Sequence, residues 1–385
     1  MASLLLISER YSPDVGGVAR SARRTAEQLA YCGHQVHVLA WTKLLAPGQL
    51  DSRPTTDGVH VHRLGLFSNW DFSLQHTMNV VEWMHQQRGF HAVWGHYLYP
   101  AGFMAVLFGT THGVPSIVSA RGNDVDRLMF PPGDFARLQW TLQRCQVVTA
   151  VSRDLASKIQ VLVGTERPVH VVPNSVDIEL FSPGDPDAEL RAKLGIAPPE
   201  SVLGFCGELR HKKGAPFLLS ALHHVRLQRP ACLLLIGEIR VREQSMLTEY
   251  LAEQPEAGRR VIVTGNLEDP VDVARHLRLC DVVLHPSVWD GMPNAVLEAM
   301  SCGRLVIGSD AGGIPEVVTH GENGFLIPRA QLHRLGEGIL EVLDLPAAER
   351  DRVSAAARQR IATDFHAEAE REQLRRVMDE LLRMP

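Results

Sequence analysis

One rhythm constrains this chain more than any other feature. Short apolar runs recur along nearly its whole length, and the intervals between them carry helical periodicity. In the first half the runs are SLLLIS, QVHVLA, VHVHRL, FHAVWG, PSIVSA, VVTAVS and VHVVPN. A strand buried on both faces reads as such a run, and its parallel neighbour is reached only through a long crossover, usually a helix. The interval GGVARSARRTAEQLAYCG is a helix of this kind, with Gly33 as its stop. The rhythm breaks at FSPGDPDAELRAKLGIAPPES, Phe181 to Ser201, which is polar and rich in proline. It restarts with VLGFCG, ACLLLIG, VIVTG, DVVLHPS, RLVIGS and NGFLIP. A length of 385 residues also exceeds what one hydrophobic core comfortably fills. The expected architecture is therefore α/β, with doubly wound domains at 1–180 and 201–364 and a linker at 181–200. From about Asp344 the sequence is helical and charge-rich, and a last segment opening at Phe365 (365–385) is expected to pack back on the first domain.

Composition removes several function classes. Lysine and arginine number 39 against 44 aspartates and glutamates, a net charge of −5, so the global basic field of a nucleic-acid binder is missing. The six cysteines (Cys32, Cys145, Cys206, Cys232, Cys280 and Cys302) have no paired spacing, and most sit in apolar runs such as LGFCGE and PACLLLIG. They are expected to be reduced core residues of a cytoplasmic protein. The N-terminal MASLLLIS lacks a basic region before its short apolar run and reads as a first strand, not a signal peptide. No run reaches the roughly 18 apolar residues of a spanning helix. Membrane association would have to be peripheral, at the inner face, through Arg20, Arg23 and Arg24 on one helix and the apolar residues of RLMFPPGDFARLQW.

Doubly wound sheets bind ligands at the carboxyl ends of their strands, so the loops leaving strands are the place to look. After DVVLHPS comes WDGMPNAVLEAM, Trp289 to Met300, with two acids, Asp290 and Glu298, around a glycine turn and a proline. Pro293 suits a first helical position, where its missing N–H costs nothing. The amides of Asn294, Ala295 and Val296 then lack intrahelical partners and, with the helix dipole, form an anion site. Gly291 lets the backbone turn close to a ligand. Glu298 lies one turn deeper on the face of Asn294, within reach of sugar hydroxyls. The alternative is an ordinary helix capped by Asp290. After VLGFCG a second loop, GELRHKKG (Gly207 to Gly214), brings Arg210, Lys212 and Lys213 to a strand end of the same domain. A helix end contributes about 0.3–1 kcal/mol towards holding a charge, too little for a diphosphate, and these cations would supply the rest without a metal.

These residues resemble the retaining glycosyltransferases of family 4, two-domain enzymes of the GT-B fold with Rossmann-like halves and a cleft between them. SPDVGGVARSA fits the family's glycine pair after the first strand, GELRHKKG its arginine–lysine turn, and HPSVWDGMPNAVLEAM its pattern of an acid, seven residues and a glutamate. VVPNSVDIELFSP and SDAGGIPEVV are further matches, and the likeness runs from Leu4 to about Phe365. The resemblance implies transfer of a hexosyl group from a nucleotide-diphosphate sugar to an acceptor hydroxyl, without a metal or other cofactor. The acceptor would be a sugar, a lipid-linked molecule or another small molecule. Arg210 and Lys213, with the backbone of Gly291, Met292, Pro293, Asn294 and Ala295, would hold the diphosphate. Glu298 would bind the ribose, Asp290 would contact the donor sugar, and Gly16 and Gly17 would lie near the donor phosphate and the acceptor. The backbone from Gly265 to Leu267 would meet the base.

Three positions depart from the family pattern. Glu208 stands where an arginine is common, so Arg210 would provide that cation. Asp290 replaces the commoner glutamate. In SARGNDVDR, Arg121 occupies the place of a histidine found near the reaction centre in many members. Arg121 and Asp124 would then position the acceptor, and His96, at the end of FHAVWG, is the remaining candidate for a catalytic or acceptor-orienting histidine. Asp124 and Asp126 also form the acid-x-acid pattern of metal-dependent transferases, but the cations of GELRHKKG already answer the diphosphate. A sugar-nucleotide epimerase of the same architecture would form an epimer without acceptor, and a non-catalytic sensor would bind nucleotide without turnover.

Overall fold

A computed structural model describes every residue except Val15, 56–57, 165–167, 254–259 and 384–385. Val15 of the SPDVGG loop and the last two residues of the expected 365–385 tail therefore lie outside the described residues. The chain forms two compact units, Met1–Asn174 with Ala367–Pro385, and Ser175–His366.

The first unit carries β1 (Ser3–Ser8), β2 (Gln35–Thr42), β3 (Leu50–Pro54), β4 (Val59–Gly65), β5 (Ala92–His96), β6 (Ser116–Ala120), β7 (Val147–Ala150) and β8 (Val169–Val171). They lie in the order β3-β4-β2-β1-β5-β6-β7-β8. The strands pair in parallel except β3, which runs antiparallel to β4 with Leu50 opposite Leu64. SLLLIS is buried at every position because the sheet is covered on both faces. Leu4 and Leu6 enter one core with Ala22, Ala26 and Leu29 of helix α1 (Gly17–Tyr31). Leu5 and Ile7 point the other way, into a core with Val81, Met104 and Phe108. β3 has no counterpart among the expected strands. LDSRP is polar and half-exposed or exposed, as an edge strand that ends in proline can be.

The second unit carries β9 (Ser201–Cys206), β10 (Ala231–Ile236), β11 (Val261–Val263), β12 (Val282–His285), β13 (Leu305–Ser309) and β14 (Phe325–Ile327). This all-parallel sheet has the order β11-β10-β9-β12-β13-β14. Its core joins Leu203, Phe205, Leu233 and Leu284 to Leu218 and Leu222 of helix α2 (Ala215–Arg226). Helix α3 (Asn294–Ser301) follows β12.

The boundary between the units falls at Asn174/Ser175, and the passage expected as a linker at 181–200 belongs to the second unit. Several of its polar groups tie it to that unit. Asp187 caps the helix Ala188–Lys193 by accepting from the Leu190 amide at 2.9 Å and also takes Arg275 at 2.7 Å. Arg278 donates to the carbonyls of Ser182 (2.9 Å) and Leu180 (3.1 Å). Phe365 caps the end of the helix Ala347–Asp364 rather than opening the next one. The last helix, α4 (Ala367–Arg383), packs Leu374, Val377, Met378 and Leu381 into the first unit's core.

Candidate active site

Each sheet has a point where successive connections diverge to opposite sides, and such switch points are where doubly wound folds bind ligands. In the second unit it lies between β9 and β12, the strands that release GELRHKKG and SVWDGMPN. In the first it lies between β1 and β5, which release the Gly16–Gly17 loop and His96.

In the second unit the two loops are bolted together. The Val288 amide donates to the Lys212 carbonyl at 2.7 Å. Gly214 turns the chain from the short helix His211–Lys213 into α2 at φ 82°, and a Cβ there would stand 2.1 Å from the Pro286 carbonyl oxygen. This brings Lys213 onto Asp290 as an ion pair. The same Asp290 oxygen meets Nε2 of His285 at 3.0 Å and the Ser287 hydroxyl at 3.2 Å, while its other oxygen accepts from the Gly291 amide at 3.0 Å. Burial pushes the Asp290 carboxyl up, but Lys213, the His285 hydrogen bond and Lys212 outweigh it and hold it well below the usual carboxylate range. Burial and then Lys213 push His285 down, against the pull of Asp290, so its imidazole is neutral at neutral pH. Asp290 is thus neither a helix cap nor a proton donor.

Pro293 precedes α3 as its N-cap, with φ −74° and ψ 121°, one position before the expected one. The first amides of α3 belong to Asn294 and Ala295, and Val296 turns back to the Pro293 carbonyl at 3.2 Å. Met292, Ala295 and Glu298 are buried, Glu298 to 5% exposure, one turn inside the helix start. Arg210 does not stand free beside Lys213: its guanidinium is paired with Glu208, which Arg240 also approaches at 3.7 Å. Gly265, at φ 73°, and the half-buried Leu267 follow β11 at the sheet edge, two strands from β9.

In the first unit, Gly16 (φ 127°) and Gly17 start α1, and a Cβ on either would meet nothing within 4 Å. His96 is fully buried, with Nε2 2.8 Å from the Ser21 hydroxyl of α1. That hydroxyl lies 3.1 Å from the Val18 carbonyl, to which it donates, so the histidine is the donor to Ser21. Burial, then Arg121 and Arg24, drive the imidazole well below its ordinary range. Asp124 is also fully buried, taking the amides of Arg121 (2.9 and 3.1 Å) and Leu98 (3.0 Å). Burial lifts its carboxyl to about 6 against those hydrogen bonds. Asp124, expected at the reaction centre, thus spends both carboxylate oxygens on the amides of the loops around it, whereas His96 uses Nε2 on Ser21 and its buried Nδ1 has no hydrogen-bond partner among the described residues. Arg121 reaches Asn174, as Arg24 does at 2.7 Å, and Arg24 pairs with Glu370 of α4, also at 2.7 Å. Burial, then Arg24, brings the Arg121 guanidinium down to about 10, still charged at neutral pH. Asp126 takes Lys158 at 3.0 Å, so the acid-x-acid pair serves two different partners. Among the described residues no group of three or more His, Cys, Asp or Glu could hold a metal ion.

Residues 16–175 match the family described as Glycosyl transferase 4-like domain, and residues 186–360 the one described as Glycosyl transferases group 1. This chain belongs to the family 4 glycosyltransferases. N-acetyl-alpha-D-glucosaminyl L-malate synthase of Bacillus anthracis is 24% identical over 92% of this chain and 92% of its own length. The solved structure of sucrose-phosphate synthase from Thermosynechococcus elongatus superposes with a TM-score of 0.83 at 20% identity, over 99% of each chain. That of Anabaena HepE in complex with UDP-glucose has a TM-score of 0.82 at 19% identity, over 99% of this chain and 100% of its own. The fold is GT-B, and the enzyme is a glycosyltransferase that uses a nucleotide-sugar donor. Sequence reasoning missed His285, Ser287, Ser21, Arg24, Asn174 and Glu370. The signal for His285 was present in DVVLHPS, where a histidine ends an otherwise apolar strand. Glu370 carried no local signal, since its partner Arg24 is 346 residues away.

Proposed function

We propose that this glycosyltransferase moves a hexosyl group from a nucleotide-diphosphate sugar to an acceptor hydroxyl with retention of configuration. The observation that carries the reading is the convergence of Lys213, Asp290 and the first turn of α3 at one switch point, with Glu298 buried beneath it. Lys213 and the amides of Asn294 and Ala295 take the diphosphate, with Arg210 joining them by leaving Glu208. Glu298 accepts from the ribose hydroxyls, Asp290 turns to the donor sugar, and the backbone from Gly265 to Leu267 meets the base. In the first unit Gly16 and Gly17 admit donor phosphate and acceptor, and Arg121 orients the acceptor. His96 and Asp124 position these loops through Ser21 and through the amides of Arg121 and Leu98. With Asp124 so committed and His96 wholly buried beneath α1, the leaving phosphate is the base that takes the acceptor proton on the donor's front face, which preserves the anomeric configuration. The reaction needs no metal, so full activity in a chelator is the expected result, and loss of activity there would overturn that part.

The acceptor is a small polar molecule met in the cytoplasm, a choice favoured by the state of the α1 arginines. Arg24 is turned onto Glu370 and Arg23 onto Glu27, so neither is a spare cation for anionic lipid. Among the described residues no helix is long and apolar enough to cross a membrane. A lipid-linked acceptor at the inner membrane face is the second reading, for which Phe130, 77% exposed, is the favouring observation. Pelleting with anionic vesicles at low salt would decide for it.

The central test is thermal stabilisation by UDP, GDP, ADP and dTDP. One of them at 100 times its dissociation constant should stabilise the wild type by about 2.7 kcal/mol, and Glu298→Ala should respond far less. If no nucleotide stabilises the wild type, the donor site is misplaced. An equal response from Glu298→Ala would remove the ribose role.

A further inference from the structure

The donor site contains an ion pair that a simple phosphate clamp does not need. Lys213 is only 20% exposed and Asp290 11%, and their contact is supported by His285 and Ser287 on the same carboxylate oxygen. A carboxylate held by four donors is a well-solvated anion in miniature: lysine ammonium, imidazole N–H, hydroxyl and the Gly291 amide. It can stay buried and ionised when one donor leaves. His285 lies 3.4 Å from Lys213, its ring stacked at 6.2 Å on Phe205 of β9, so its position is fixed by the sheet and not by the ligand. Its Nε2 must carry the proton, because the ionised Asp290 oxygen it faces can only accept.

We propose that His285 and Ser287 are positioning residues that fix Asp290 as an internal anion for Lys213, so that a nucleoside diphosphate binds by displacing this carboxylate from the lysine. Binding is an exchange of anions on one cation. Before donor arrives Lys213 is neutralised and its reach is set. Afterwards the Asp290 oxygen that held it is open to a donor-sugar hydroxyl while His285, Ser287 and Gly291 keep the carboxylate in place. The exchange has an electrostatic consequence at His285. Its charged neighbours are Lys213, Lys212 and Asp290, and Phe205 contributes no charge. Moving Lys213 onto a diphosphate takes a cation away from the imidazole and brings anions near, so His285 takes up a proton as the nucleotide binds.

This inference rests on the donor-site reading above, and the tests separate the two. The probe is whichever of UDP, GDP, ADP and dTDP stabilises the wild-type enzyme most, titrated calorimetrically into the full chain. Lys213→Ala should lose about ten-fold or more in affinity; if it binds as the wild type does, the donor-site reading itself falls. With that loss established, Asp290→Asn should bind the same nucleoside diphosphate about five-fold tighter, because a competing anion is gone. Unchanged or weaker binding overturns the exchange while leaving the donor site intact. Ser287→Ala, which keeps the charge but removes one of the donors that hold the carboxylate once Lys213 has left, should instead weaken binding about two-fold, and unchanged or tighter binding overturns the role of Ser287. Titrations in two buffers of different ionisation enthalpy then read the proton count. The wild type should take up more protons on binding than His285→Gln, and its affinity should fall more steeply as pH rises. Equal proton counts in the two proteins overturn the role of His285.

Discussion

At the scale of single residues, the first unit holds a second histidine group with a readable consequence. His37 on β2 and His62 on β4 are buried, with His37 Nδ1 3.1 Å from His62 Nε2 and His62 Nδ1 2.8 Å from the Ser52 hydroxyl on β3. His60 stacks on His37 with ring centroids 4.9 Å apart. Burial, then Arg88, then the neighbouring histidines, push His37 down to about 3, and burial, Arg88 and His60 push His62 down to about 4. An unfolded chain protonates both near pH 6.5. Between that value and about 4 the unfolded state therefore binds protons that the folded state refuses, and stability falls as pH falls. Each histidine contributes up to about 1.4 kcal/mol per pH unit in that window. Melting temperatures from pH 7.5 to 5 should drop, and the double variant His37→Leu/His62→Leu should show a shallower slope whatever its absolute stability. A variant slope equal to the wild type's would show that other groups carry the acid sensitivity. VHVHRL announced a strand in the sequence, but nothing in it showed that its histidines would stack on one from β2, since register is a property of the pair of strands.

At the scale of elements, the apolar strands and the motif loops were legible because each is specified locally, by a run or by a turn with its cap. The elements that escaped are those whose residues act across the chain. LDSRP becomes β3 only because β4 offers it an edge, and the 181–200 passage folds into the second unit because Arg275 and Arg278 reach back to it. Gly214 joins both kinds of information. Its left-handed φ is set by the turn into α2, and its lack of a side chain by the Pro286 carbonyl of another loop. Gly113 makes a useful control, with φ 69° and open space around the missing Cβ. Alanine at Gly113 should cost about 1 kcal/mol, the ordinary penalty of the left-handed region. Gly214→Ala should cost about 2–4 kcal/mol and should also abolish nucleotide stabilisation, because the Lys213 and Asp290 loops are forced apart. Equal costs in the two variants, with nucleotide response kept, would mean that the close approach to Pro286 is idle.

At the scale of the whole molecule, the first unit is built from both ends of the chain. The sequence foretold a returning tail from its charge-rich helical period, but not which residues would anchor it. The anchor is an apolar stripe, Leu374, Val377, Met378 and Leu381, at the spacing of one helix face. It is flanked by Glu370 on Arg24 and by Arg371 donating to Gln28 at 2.8 Å. Glu370 is 3% exposed, so its charge is kept in the interior by Arg24, and Arg24 in turn shares Asn174 with Arg121. The tail therefore completes the first unit's core and braces an arginine assigned here to the acceptor. Leu374→Ala should destabilise the first unit by about 2–5 kcal/mol, the usual range for emptying a buried leucine site. The loss should be local, because Leu374 contributes to the core of that unit and not to that of Ser175–His366. Hydrogen exchange read by peptide should show faster exchange within 1–174, α1 first, with protection kept across 175–366. Deprotection spreading equally through 175–366 would mean that the units unfold as one, and the assignment of α4 to the first unit's stability alone would fail.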